Sequence, residues 1–261
     1  MALVDETSGA GAAGHPEPDG GQMSLFEHLS ELRRRLIVSI LAIVVGGIVA
    51  WFLYNPLLHF MAEPYAQLLK THPRLDLTHG QLVITALAEG FTTRLKISAY
   101  VGIALATPVV LWELWRFITP GLHKNEKRYI VPFVASAAVL FAMGVAAAVL
   151  VFPKAIGWLI SVSGTSVAPL VSASSYVNLY ALMCLIFGLA FLYPVVVMFL
   201  MIAGVVPSAR WRKWRRVAII VIAAVAAVVT PSSDPFSFMA MAVPMYVFYE
   251  ASIGVGRILG K

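Results

Sequence analysis

Ser24-Leu-Phe-Glu27-His28-Leu-Ser-Glu31-Leu-Arg33-Arg34-Arg35 runs straight into an uncharged apolar stretch that continues to Tyr54. Ser24 and Glu27 have the spacing of a capping box, which predicts a helix start at that point. Leu25, Leu29, Leu32 and Leu36 then recur at steps of four, three and four, making one apolar stripe. Glu27, Glu31 and Arg34 decorate the other side. A helix of this kind is expected to lie in the headgroup layer before the chain turns into a bilayer. Three consecutive arginines ahead of a span assign that side to the cytoplasm.

Composition supports a membrane reading. Of 261 residues, 60% are hydrophobic and only 12% are charged, against about 25% charged in soluble domains. The mean hydropathy is +0.85. This is the profile of an all-α polytopic membrane protein without a separate soluble domain. The net charge of +6 could suggest nucleic-acid binding, but its distribution argues otherwise. Of the nineteen Lys and Arg residues, only Lys70, Arg74, Arg94, Lys96 and Lys154 fall in segments assigned to the outer side. The other fourteen follow the positive-inside bias. A single cysteine, Cys184, excludes an internal disulfide and sits in an apolar run as a small core residue. Residues 1–22 hold five glycines, two prolines and only acidic charges. They read as a disordered cytoplasmic tail ahead of a membrane domain over 23–261.

Six spans are predicted. The first is Leu36 to Tyr54, and within the large outer loop after it Leu57–Leu69 and Leu82–Leu95 look helical. The second runs from Ile97 to Trp115 and should be kinked by Pro108. The third is Ile130–Val151, with Pro132 tolerated in its first turn. The fourth, Tyr176–Val206, is longer than a bilayer needs and carries Pro194, so a tilt or kink is expected. Arg210-Trp-Arg212-Lys213-Trp-Arg215-Arg216 then serves as an inner-face anchor. Val217–Val229 and Phe236–Tyr249 flank the turn Thr230-Pro-Ser-Ser-Asp234-Pro235. At 13 and 14 residues, each is short of the roughly 20 residues that cross a bilayer. An even number of spans puts both termini in the cytoplasm.

No catalytic constellation is legible: HExxH, GxSxG, CxxC and a phosphate-cradling glycine loop are all absent. The six histidines lack metal-ligand spacing on a common face, so neither a metal nor a cofactor is expected and the chain does not read as an enzyme. The carboxylates say more. Glu31 and Glu126 each lie among cations, Arg33 to Arg35 around the first and Lys124, Lys127 and Arg128 around the second. Each is either paired with its neighbours, as Glu31 with Arg35 at i,i+4, or part of an acceptor for a cationic ligand. Glu89 lies near the outer interface and Glu113 near the inner one, where solvation is cheap. Glu250 is either a functional acid at membrane depth or one that reaches inner-face water.

Four motifs, His28-Leu-x-Glu31-Leu-Arg33-x-Arg35-Leu36, Thr119-Pro-Gly-Leu…Lys124-x-Glu126-Lys127-Arg128, Thr230-Pro-x-x-Asp234 and Pro244-Met-Tyr…Tyr249-Glu250, closely resemble the TatC family. The resemblance covers residues 23 to 259 with the segments in order. It implies six helices in a concave, glove-like bundle in the bacterial inner membrane. It also implies recognition of Arg-Arg signal peptides and recruitment of the single-span partners TatA and TatB alongside other copies of the chain. Folded proteins would then be exported using the proton-motive force. The two glutamates that receive the arginine pair fall on Glu31 and Glu126, with His28, Arg33 and Phe117 beside them. Pro64 and Pro108 are implied to set geometry, Phe117 to pack or make contact, and Asp234 and Glu250 to make polar or cap contacts. Leu192 and Phe238 stand where many members carry a glutamate and a glutamine, in a patch implied to meet the partner helices. The alternative class is a small secondary transporter or channel. Against it, the membrane interior lacks paired ionisable residues and the two halves show no inverted repeat.

Overall fold

The computed structural model describes residues 25–71, 82–118, 130–162, 171–202 and 208–258. The tail and the segment carrying Glu126 lie outside them. The described residues form α1 (Leu25–Phe52), α2 (Tyr54–Thr71), α3 (Glu89–Ile118), α4 (Ile130–Val162), α5 (Ala173–Ala190), α6 (Tyr193–Ile202), α7 (Ser208–Lys213), α8 (Arg215–Val229) and α9 (Pro235–Ile258). Among the described residues, five stretches are long and apolar enough to cross a membrane: Leu29–Phe52, Glu89–Phe117, Val131–Val162, Ala173–Met201 and Pro235–Ile258. The remaining expected span is α8, which at 15 residues is short as its sequence predicts.

α1 and α3 run antiparallel. Arg35 meets Glu113 at one end, and at the other Arg94 Nη2 donates to the Trp51 carbonyl at 3.0 Å. The Arg94 guanidinium also lies 4.4 Å from the Trp51 ring centre and 5.1 Å from that of Tyr54. The end holding Arg33 to Arg35, Arg116 and the α7 cations is called the basic end below. Lipid tails are as apolar as leucine, so helices in a bilayer associate through close packing at small residues. A Cβ on Gly102 would come within 2.6 Å of the Gly47 nitrogen, and one on Gly144 would strike the Phe187 carbonyl. These are the crossings of α1 with α3 and of α4 with α5. α1 is the least buried span and rests mainly on α3, so Gly102→Val is expected to detach it. Overpacking of this kind costs about 1–3 kcal/mol. A lowered melting temperature of the detergent-solubilised protein would record the change, and an unchanged one would refute it.

The main core joins Met61 and Tyr65 of α2 and Phe152 of α4 to Tyr176, Tyr180 and Phe187 of α5 and to Met241 and Tyr249 of α9. The Tyr176 hydroxyl donates to the Met61 carbonyl at 2.7 Å, which satisfies the one polar atom this ring buries. A smaller cluster near the basic end packs Trp115 against Phe133 and Phe199, at ring-centre separations of 4.1 and 4.8 Å. Pro194 acts as expected. α5 ends at Ala190, the chain tightens through Leu192 N–H to the Leu189 carbonyl at 3.1 Å, and α6 restarts at Tyr193. Pro64 and Pro108 lie inside helices that run on past them.

Four expectations change. The amphipathic start does not turn at the bilayer but continues as the first turns of α1, because no Gly or Pro interrupts the ladder between Arg35 and Leu36. Residues 82–88 are not helical: Val83 pairs with Ser172 as an isolated parallel bridge, and α3 begins only at Glu89. α4 passes Pro153 to reach Val162, since Phe152, Ala155 and Ile156 are buried and packing draws those turns into the helix. α9 is not short. Its 24 residues pass Glu250 and end at Ile258, because Tyr249, Ser252, Ile253 and Gly256 are all buried.

Candidate functional site

The basic end holds a cluster of one cation and two carboxylates. Glu31 lies in the second turn of α1 and Arg35 one turn later, so the i,i+4 spacing brings them together on one face. Arg35 Nε donates to Glu31 Oε1 at 3.2 Å, and Nη2 donates to the same oxygen. Arg35 Nη1 donates across to Glu113 Oε2 on α3 at 3.1 Å. The three side chains are 13%, 23% and 14% exposed for Arg35, Glu31 and Glu113, so water screens this cluster less than it screens a surface pair. Arg33, Arg34 and Arg116 stand exposed around it. His28 lies in the first turn of α1, and Phe117 is half-buried in the last turn of α3, one turn past Glu113. α3 ends at Ile118, and Glu126 lies outside the described residues.

Glu113 is the residue sequence reasoning undervalued, having read it as an interfacial acid with cheap solvation. Its partner is 78 residues away on another helix. The available signal was its position one turn before Phe117, on the span that leads toward Glu126.

Glu89 belongs to the opposite end and has a fastening role. It is 6% exposed and opens α3. One carboxylate oxygen accepts from the Thr85 and Ala86 N–H groups and the Thr85 hydroxyl. The other accepts from the Ser172 hydroxyl and the Ser174 N–H. The carboxylate therefore ties the entry to α3 to the entry to α5, and Lys96 Nζ reinforces this by donating to Ser174 Oγ at 2.7 Å.

Asp234 caps α9. Its Oδ1 accepts from the Ser237 N–H at 2.8 Å, and its Oδ2 accepts from the Ser232 hydroxyl. Thr230, Ser232, Asp234 and Ser237 are all buried, and the Ser237 hydroxyl faces Met183 Sδ at 3.8 Å, near the middle of α5. The α8–α9 turn therefore sits partway along the bundle. Asp234→Ala removes the cap, which is worth about 1 kcal/mol and up to about 2. We expect a small fall in melting temperature that Asp234→Asn largely avoids. Equal falls for both variants would contradict the cap role. Phe238 is half-buried against the main core and Leu192 against the smaller cluster, so both positions bear apolar packing.

Glu250 is resolved toward pairing. Its Oε2 lies 2.6 Å from Arg215 Nη2, and its Oε1 accepts from the Tyr246 hydroxyl at 3.2 Å. Both members of the ion pair are partly exposed, and such a pair contributes about 0–1 kcal/mol. A cavity of about 140 Å³ between Met61, Tyr100, Val149, Tyr180, Cys184 and Leu185 is lined almost wholly by apolar groups. Among the described residues, no group of His, Cys, Asp and Glu has metal-holding geometry.

Long apolar helices, cations gathered at one end and a guanidinium shared by two carboxylates there define a polytopic helical membrane protein with an ion-paired site at its basic end. The chain belongs to the TatC family: the family model described as Sec-independent protein translocase protein (TatC) matches residues 27–244. A protein named Sec-independent protein translocase protein TatC from Frankia casuarinae is 36% identical over 242 residues, 91% of this chain and 66% of that protein. A protein of the same name from Koribacter versatilis is 38% identical over 240 residues, 91% of this chain and 86% of that protein. A solved structure described as the twin arginine translocase receptor TatC superposes with a TM-score of 0.72 at 32% identity, covering 90% of this chain and all of that one.

Proposed function

We propose that the chain is the receptor subunit of a twin-arginine protein translocase in the bacterial inner membrane. It takes Arg-Arg signal peptides at its basic, cytoplasmic end, with both termini on that side. It recruits TatA or TatB and further copies of itself, and nucleates a complex that exports folded proteins using the proton-motive force. The observation that carries this reading is the state of Glu31, a part-buried carboxylate at the basic end that already holds a guanidinium. Glu126 enters as the second acceptor through the family resemblance, with His28, Arg33 and Phe117 around the pair. Arginine suits such a site better than lysine because its planar fork meets a carboxylate with two parallel donors. The exposed cations Arg33, Arg34 and Arg116 repel peptides that are merely basic, so selectivity includes a cost for the wrong ligand.

The test is export of a folded fluorescent reporter carrying an Arg-Arg leader, in cells with and without this chain. Export should need the chain, stop on addition of an uncoupler, and fail for a Lys-Lys leader. Undiminished export in cells lacking the chain would overturn the proposal.

A further inference from the structure

The carboxylate proposed to receive a ligand arginine is already occupied by one of the chain's own. Arg35 gives Glu31 two donors and gives Glu113 a third, at 3.1 Å. A ligand guanidinium that takes the same Glu31 oxygen competes with Arg35 for it. Glu113 sits where Arg35 can yield to, on a different helix and already in contact. Charge points the same way. Glu31 and Arg35 alone form a neutral pair ringed by the exposed Arg33, Arg34 and Arg116, a setting that repels cations. With Glu113 as its counter-charge, Arg35 can leave Glu31 without becoming an unpaired part-buried cation, and the Glu31 carboxylate is freed for the ligand.

We propose that Arg35 is an internal occupant of the arginine site and that Glu113 is a positioning residue which takes Arg35 over when a ligand arginine binds Glu31. This rests on the receptor reading above. Glu113 then sets affinity without touching the ligand. Its loss leaves Arg35 wholly on Glu31, where it competes best. Loss of Arg35 removes the competitor, and Glu113 then has nothing left to hold.

The experiment is a titration of the purified full-length chain with a labelled Arg-Arg signal peptide and its Lys-Lys version. Wild type must first prefer the Arg-Arg peptide, and equal binding of the two would overturn both the receptor reading and this inference. Given that preference, Glu113→Gln should weaken Arg-Arg binding by about tenfold, the scale of one charge-assisted hydrogen bond. Glu113→Asp, which keeps the charge, should recover part of the loss. Arg35→Gln should bind at least as tightly as wild type. Adding Glu113→Gln to Arg35→Gln should change affinity by less than about twofold, because Glu113 acts only through Arg35. An equal loss from Glu113→Gln in both backgrounds, or no loss in either, would overturn the takeover while leaving the receptor reading intact. Melting temperatures of all variants accompany the titration. If Glu113→Gln fails to fold, Glu113→Asp with and without Arg35→Gln gives the same comparison.

Discussion

Glu89→Ala is expected to destabilise the fold strongly. The wild-type carboxylate is buried and accepts from three backbone N–H groups and two hydroxyls. Alanine leaves those donors without their acceptor; Thr85 and Ala86 are exposed and can turn to water, whereas the Ser172 and Ser174 donors are half-buried, and an unsatisfied buried group costs about 1–3 kcal/mol. Some will find water at the end of the bundle, so a net loss of about 3 kcal/mol is the expected scale. In a chain of this size that lowers the melting temperature by roughly 10 °C. The effect should be regional. The pairing of Val83 with the Val171–Ala173 backbone loses its neighbour, so the entries to α3 and α5 should become sensitive to protease first. Glu89→Gln retains one acceptor oxygen and should fall between wild type and alanine. Thermal melting in detergent reads this, and a shift below about 2 °C for alanine would mean the cluster contributes little.

The largest functional effects are expected at the two proposed acceptors. Glu31→Ala and Glu126→Ala each remove a carboxylate that offers charge-assisted hydrogen bonds, at about 1.5–3 kcal/mol per bond. Affinity for an Arg-Arg peptide should fall by about ten- to a hundredfold for each. Folding should hold for Glu31→Ala, because Arg35 keeps Glu113 as a carboxylate partner. Peptide titration beside a melting curve separates the two quantities. Affinity retained in Glu126→Ala would remove that residue from the site, whereas affinity lost together with the melting transition would assign it a structural role.

Those features of the fold that depend on local chemistry were legible in the sequence. The leucine stripe located the start of the first helix, Pro194 located the break between α5 and α6, and the Thr230–Pro235 turn located the hairpin with the short α8. What sequence missed was set by partners far along the chain. Nothing near Glu89 shows that its carboxylate will bind Ser172, 83 residues on, and so fix the start of α3. On sequence the third span is expected to end at Val151, but the burial of Phe152 and Ile156 against other helices carries α4 past Pro153. Glu250 reads as an end to an apolar helix until Arg215, 35 residues earlier, supplies its counter-charge. At the site, the Glu31–Arg35 pair was legible from spacing alone, whereas the share Glu113 takes in it needed the crossing of α1 and α3. That crossing depends on glycines at 47 and 102 whose meeting no local pattern announces.

The most direct test of a receptor built from carboxylates is the binding of a labelled Arg-Arg signal peptide to the detergent-purified chain. Its controls are a Lys-Lys peptide and the Glu31→Ala, Glu126→Ala double variant. The account predicts saturable binding of the Arg-Arg peptide that is lost in both controls. Equal binding of the two peptides, or binding that survives in the double variant, would mean these acids serve only their neighbouring cations and would contradict it.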